Sequence, residues 1–292
     1  MWHEMDIETY LAYPALRSGD LNEILRSPAH YKSKCEKELK VTPAMLTGSM
    51  LHKAILEPES LEESIVECPA DKRGRKNSPT LEWLYFIKEC YNDGILTKTP
   101  EEIFAESATT WDTFFRPNII RLNDGDRDRI EGVKKTFSDS PVLRDIMENA
   151  LTEATGILQV DPGYGDFKVK VRPDIVNKDL KLIADIKFKQ DCRKFNIFDF
   201  GYDVQAALQI AAALENEGDN SLDQFIWITV ETEPPYAYML YGFNLFEDFH
   251  RRAQHRLTKA LKAYSECLKT DSWESYDNEQ IIEVQYPRWI KD

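Results

Sequence analysis

Asp174 and Asp185 are separated by ten residues, and Lys187 lies two positions beyond the second aspartate. Two carboxylates and a lysine are the groups that metal-assisted hydrolysis of a phosphodiester requires. Magnesium takes oxygen ligands from one or two carboxylates together with waters and substrate phosphate, and it polarises the phosphoryl group. A lysine beside such an ion can hold the attacking water, assist its deprotonation, or offset charge building on phosphorus.

For these groups to meet, the chain must bring two extended segments together. Residues 167–172 and 181–189 both alternate at period two, with turn signals at 161–166 and 177–179. In the first run, continued to Asp174, the residues Lys168, Lys170, Arg172 and Asp174 share one face, and Phe167, Val169 and Val171 share the other. In the second, Leu182, Ala184, Ile186 and Phe188 oppose Ile183, Asp185, Lys187 and Lys189. If both apolar faces meet one core, Asp174, Asp185 and Lys187 emerge together. A surface strand with alternating charges has the same pattern, and the spacing alone leaves both readings open.

Cap and proline signals predict a helical first half. Ser18 opens a short helix that Pro28 closes, and Thr42-Pro43 opens a second, containing His52, that ends at Pro58. Further helices are expected at 80–90, 100–104, 126–137 and 140–150. After Leu151 the period changes. Strands are expected at 153–160, 167–172 and 181–189 as an antiparallel set, then a helix at 197–214, strands at 225–231 and 236–243, and a closing helix at 246–268. The expected class is α/β or α+β, with a central mixed sheet flanked by helices. A single domain over 1–292 is expected, 1–150 forming a mainly helical shell and 151–292 the sheet-containing part.

The composition narrows the partners. Lysine and arginine number 37 against 51 aspartates and glutamates, a net charge of −14, which argues against a protein coated in positive charge. The charge is uneven. Residues 168–194 hold nine basic side chains against four acidic, and residues 249–264 hold five against none. With the basic loop from Lys72 to Lys76, these segments could line a channel that grips phosphates without reading bases. Five scattered cysteines, with no C-x-x-C pair, suggest neither a disulfide framework nor a zinc site. The acidic opening Met1–Asp6 and the lack of a long apolar run predict a cytoplasmic protein that does not enter membranes.

Several segments resemble one family in order along the chain. R-P-D-I-V (Arg172–Val176), A-D-I-K (Ala184–Lys187) and Y-D-V-Q-A-A-L (Tyr202–Leu208) resemble the catalytic core of the PD-(D/E)XK nucleases. Upstream, S-G-D-L-N-E-I-L-R-S-P-A-H-Y (Ser18–Tyr31) and T-G-S-M-L-H-K-A-I-L-E-P-E (Thr47–Glu59) resemble the RecE-like exonuclease VIII branch. That resemblance implies Asp174, Asp185, the Ile186 carbonyl and His52 as metal ligands, Lys187 as the catalytic lysine, and Glu153 and Gln205 as further active-site groups. Where the family commonly has an aromatic four residues after the glutamine, this chain has Gln209. Arg172, Lys189, Tyr202, Arg73, Arg75, Arg251 and Arg252 are the expected DNA contacts.

The implied activity is a Mg²⁺-dependent exodeoxyribonuclease, with Mn²⁺ as an alternative ion. It would degrade linear double-stranded DNA from its ends, 5′ to 3′, leaving 3′ single strands for recombination. The resemblance further implies a ring-shaped homo-oligomer and a single-strand annealing partner of the RecT type. Two rivals stand beside it: an endonuclease or single-strand-specific nuclease of the same superfamily, and a non-catalytic binding module that keeps the fold.

Overall fold

The computed structural model describes residues 2–37, 42–67, 81–105, 119–122, 125–161, 163–218, 221–276, 281 and 283. The basic loop with Arg73 and Arg75 lies outside the described residues. Among those described, the first half is helical: α2 (Ser18–Arg26) and α4 (Pro43–Leu56) are the two helices expected there, and α1 (Ile7–Ala12), α3 (Pro28–Cys35) and α5 (Pro58–Ser64) stand beside them, the last two beginning at the prolines read as stops. Prolines occupy the first turn of α3, α4 and α5, where a missing N–H costs nothing. Thr42 caps α4 by accepting from the Met45 amide at 3.3 Å. Ser18 is inside α2 rather than capping it; the Asp20 carboxylate instead accepts from the Arg17 amide at 2.9 Å.

A short parallel pair, β1 (Ile65–Glu67) and β2 (Ile120–Leu122), brackets α6 (Leu81–Asn92) and α7 (Pro100–Ala105). These two helices keep a small core of their own around Trp83, Ile87 and Ile103. Next come α8 (Asp126–Asp139) and α9 (Pro141–Met147), then the strands β3 (Leu151–Thr152), β4 (Gly156–Gln159), β5 (Lys168–Val171), β6 (Ile175–Asn177) and β7 (Leu182–Lys189). The chain ends with α10 (Tyr202–Glu217), β8 (Gln224–Glu231), β9 (Tyr238–Asn244) and α11 (Asp248–Thr270).

The main sheet has the order β3-β6-β7-β8-β9. Only β7 and β8 run parallel, so the sheet is mixed, and helices cover both faces. Leu182, Ala184 and Ile186 of β7 pack toward α4, α8 and α9, while Ile183 packs with Trp227 and with Ala206 and Ile210 of α10. Ile183, Ala184 and Ile186 are wholly buried, each isoleucine contributing about 1.5–3 kcal/mol. β7 is therefore not a surface strand, and the alternating charges of residues 185–189 enter the interior with it.

Three expectations are corrected. The expected antiparallel set of three divides: β5 pairs with β4 in a separate hairpin, while β6 and β7 pair in the main sheet. Pro173, which cannot donate to a ladder, stands at the break. The charged face of residues 168–172 is also not open to solvent, since Lys170 is 3% exposed and its ammonium donates to the carbonyls of Tyr10, Leu11 and Tyr13 at 2.6, 3.1 and 2.7 Å. That lysine closes the C-terminal end of α1. Finally, the helix expected at 197–214 begins only at Tyr202, because Phe200 and Gly201 both adopt left-handed backbone.

Lys170→Met keeps the volume and strands three carbonyls. Urea denaturation of this variant should show a loss of about 2–3 kcal/mol; unchanged stability would mean that Lys170 does not hold the N-terminal segment.

Candidate functional site

The sheet register assembles the site. Thr152 of β3 lies opposite Ile175 of β6, and Ile175 lies opposite Ala184 of β7. One step further along each antiparallel ladder, Glu153 faces Asp174 and Asp174 faces Asp185; the Glu153 amide donates to the Asp174 carbonyl at 3.1 Å. Three carboxylates thus stand in a row on adjoining strands. Glu153 is not the start of a long strand, as the sequence pattern suggests. It turns through φ 52° between β3 and β4, where it redirects the chain from one sheet to the other.

Each carboxylate meets a different environment. Asp185 is 1% exposed; its Oδ1 accepts from Gln205 Nε2 of α10 at 2.8 Å, and its Oδ2 faces the Lys187 ammonium. Glu153 forms an ion pair with Arg172. Among the described residues, Asp174 receives the Ile186 amide, at 2.6 Å, and the His52 ring, whose Nδ1 lies 3.5 Å from Asp174 Oδ2. Burial, and then the charge of Asp185, push the Asp174 carboxyl up to about 8. Burial, and then Asp174, also raise Glu153 against the pull of Arg172. Burial opposes the charge on Lys187, but Asp185 and Asp174 outweigh it and hold the ammonium above its ordinary range.

His52 comes from α4, across the sheet face from α10. The edge of Phe188 packs against it at 5.2 Å and 88°, fixing the ring. Burial, and then Lys187, push its pKa down to about 4, so the imidazole is neutral at physiological pH.

The donor atoms of His52, Glu153 and Asp174 all lie within 4.8 Å of one another. Two carboxylate oxygens and a neutral imidazole nitrogen form a donor set that fits a hard or borderline divalent cation. The buried and poorly compensated Asp174 is the group that such an ion would relieve. Asp185, expected as a ligand, stands beside this cluster with both oxygens engaged by Gln205 and Lys187.

The remaining expected residues fall into two groups. Tyr202 and Lys189 belong with the site: the Lys187 ammonium lies 4.9 Å from the centre of the Tyr202 ring, and Lys189 Nζ is 3.5 Å from its hydroxyl. Arg172 does not present its charge as a DNA contact. Its side chain is 9% exposed and is taken up by Glu153, by Glu57 at 3.7 Å and by the Met5 carbonyl. Arg251 and Arg252 lie on α11, beside a groove of about 720 Å³. Arg251 pairs with Asp248 at 2.8 Å, and nearby Arg256 pairs with Asp203 of α10, so the helix is less basic in place than its own sequence. Phe188 and Glu57 were not singled out by the motifs; the hydrophobic alternation of β7 marks Phe188 only as core. Gln209 is buried and lines a cavity of about 250 Å³ with Tyr10, Arg17 and Gln205.

A pH prediction follows. A proton held by Asp174 up to about 8 favours the native state, so without metal that stabilisation declines as pH rises from the ordinary carboxylate range through about 8. A cation binding there must displace the proton, whereas His52 is already neutral. The rise in melting temperature caused by Mg²⁺ or Mn²⁺ should therefore be larger near about pH 8.5 than near about pH 6, and Asp174→Asn should flatten the difference. Equal metal-induced shifts at both pH values in the unsubstituted protein would count against this site.

Comparisons with known proteins agree with this geometry. No curated protein gives a significant match to the sequence. The structure is similar to that of a presumed exonuclease from Eubacterium rectale, with a TM-score of 0.57 at 12% identity, covering 98% of this chain and 97% of that one. A phage-related exonuclease from Haemophilus somnus 129PT aligns over 82% of this chain and all of its own, at 13% identity and a TM-score of only 0.32. Residues 18–282 match the family described as "PDDEXK-like domain of unknown function". The chain, with its helical shell, mixed sheet and row of carboxylates, belongs to this PDDEXK-like family.

Proposed function

We propose that this protein is a Mg²⁺-dependent exodeoxyribonuclease that hydrolyses linear double-stranded DNA from its ends. The observation that carries the reading is the convergence of His52, Glu153 and Asp174 next to Asp185, Lys187 and Gln205. His52, Glu153 and Asp174 would hold the cation, with Mn²⁺ able to substitute. When bound, it supplies Lewis-acid polarisation of the phosphoryl group and charge neutralisation. Lys187 offers N–H donors to a phosphoryl oxygen and to the attacking water, and its positive charge offsets the negative charge that builds on phosphorus. Asp185 keeps that ammonium charged and aimed. Gln205 anchors Asp185 from α10, and the Tyr202 ring supports Lys187 from below.

Lys189, Arg251 and Arg252 would carry the phosphate contacts, with Tyr202 at the site's edge. Arg172 would act as the counter-ion of Glu153. The end-directed mode, the 5′ to 3′ polarity that leaves 3′ single strands for recombination, the ring-shaped homo-oligomer and the RecT-type annealing partner all rest on the resemblance to the exonuclease VIII branch. The fold shared along nearly its whole length with a presumed exonuclease supports the same reading. Among the described residues, no helix is long and apolar enough to cross a membrane.

Incubation of linear and closed-circular DNA with Mg²⁺ or EDTA tests the proposal. Linear DNA alone should disappear, only with metal, and Asp185→Ala or Lys187→Ala should slow its loss roughly 10²- to 10⁴-fold. Full activity in Asp185→Ala would refute the assignment of the site, and equal loss of circular DNA would refute the requirement for ends.

A further inference from the structure

Between β7 and α10 the chain passes through two short 3-10 segments, Cys192–Lys194 and Asp199–Gly201, and there it holds two phenylalanines in water. Phe198 is 65% exposed and Phe200 is 77% exposed. Neither ring adds to the core, and Phe200 is held at φ 55° and ψ 11°, a left-handed conformation that bulky residues avoid. Gly201 follows at φ 70°, where a Cβ would lie 2.5 Å from the Asn22 side chain of α2. The turn is therefore packed closely against the helical shell, and it points Phe200 outward. A strained residue that exposes a large ring is a feature to be explained by function.

Phe200 ends a line of groups that begins at the carboxylates. Lys187, beside Asp185, lies over the Tyr202 ring, and the centre of that ring is 6.0 Å from the centre of Phe200. Lys189 Nζ lies 5.3 Å from the Tyr202 ring and 5.8 Å from the Phe200 ring. In the other direction, the Phe198 ring is 6.2 Å from Phe249 and shares with it the groove along α11 that Arg252 and His255 also line. Among the described residues, Arg252 has no acidic partner. Exposed aromatic rings flanked by cations, a short step from the carboxylates, match the chemistry of a nucleic-acid strand: bases stack on the rings while phosphates meet the cations.

We propose that Phe198 and Phe200 form a stacking platform for an unpaired nucleobase at the DNA end, positioning the strand so that a neighbouring phosphate reaches Lys187. The proposal rests on the reading of the site as a nuclease. A base still paired and stacked in a duplex has no free face to offer, so the platform takes a frayed or single-stranded end. Because every base has a π-face, it does so without reading sequence. A second protein copy seated here would bury Lys189 and Arg252 away from water and from an anion, which is costly.

Fluorescence anisotropy in EDTA, where nothing is cut, separates binding from hydrolysis. A labelled duplex with a short single-stranded extension is compared with one whose extension is abasic. The unsubstituted protein should prefer the base-bearing extension by roughly tenfold. The double variant Phe198→Ala, Phe200→Ala should lose that preference while its affinity for the abasic DNA changes by less than about twofold, and Phe200→Trp should retain it. Both positions are exposed, so the variants keep the fold. An undiminished preference in the double variant overturns the platform. A change in its sedimentation with the preference intact also does so, assigning the rings to a contact between copies. If the unsubstituted protein hydrolyses DNA with Mg²⁺ but shows no preference, the platform alone fails; if it neither binds nor hydrolyses DNA, the nuclease reading fails first.

Discussion

Glu153, Asp174 and Asp185 stand side by side on three adjoining strands, largely shielded from water, and like-charge repulsion opposes that arrangement. Much of the surrounding structure answers this charge. Arg172 is drawn into the interior to meet Glu153, and Lys187 and Gln205 meet Asp185. Asp174, in the middle, has an amide and a neutral imidazole among the described residues, and its carboxyl is driven up to about 8. A divalent cation held by Asp174, Glu153 and His52 would complete the balance. The elements that matter most are those that keep the row in register: the β6–β7 hairpin, α4 carrying His52, and α10 carrying Gln205.

The same balance explains why the N-terminal residues pack on the sheet-containing half. Arg172 binds the Met5 carbonyl as well as Glu153, and Lys170 binds three carbonyls at the end of α1. Lys170 of β5 and Arg172 just beyond it therefore tie residues 5–13 to the strands rather than facing outward. Lys189, beside the site, and Arg252 of α11, which has no acidic partner among the described residues, keep positive charge nearer the surface. This placement sharpens the meaning of a net charge of −14. Part of that acidity is the carboxylate row itself, and part is set on the basic helix, Asp203 facing it from α10 and Asp248 standing at its own first position.

The trio of Asp174, Asp185 and Lys187 was legible because a hairpin turn of fixed length puts residues with ten others between them onto facing positions, and period-two alternation names the face. Cap and proline signals likewise located α2 and α4, whereas Pro28 and Pro58, read there as stops, each also begin a further helix, α3 and α5. Glu153 was legible only through family resemblance, since a left-handed kink between two sheets leaves no periodic trace. Alternation also misled: it marks Lys170 and Arg172 as one exposed face, but says nothing of a second chain segment lying over that face. The late start of α10 at Tyr202 has a similar cause, because Gly201, in left-handed backbone just before it, lies closely against Asn22 of α2, a contact that local propensity does not reveal.

The carboxylate row makes one demand that a crystal can answer directly. Crystals grown with Mn²⁺ and measured for anomalous scattering should show a peak bounded by His52, Glu153 and Asp174, and Glu153→Gln with Asp174→Asn should abolish it. A peak elsewhere, or none under saturating Mn²⁺ in the unsubstituted protein, would contradict the view that this buried charge is arranged to hold a divalent cation.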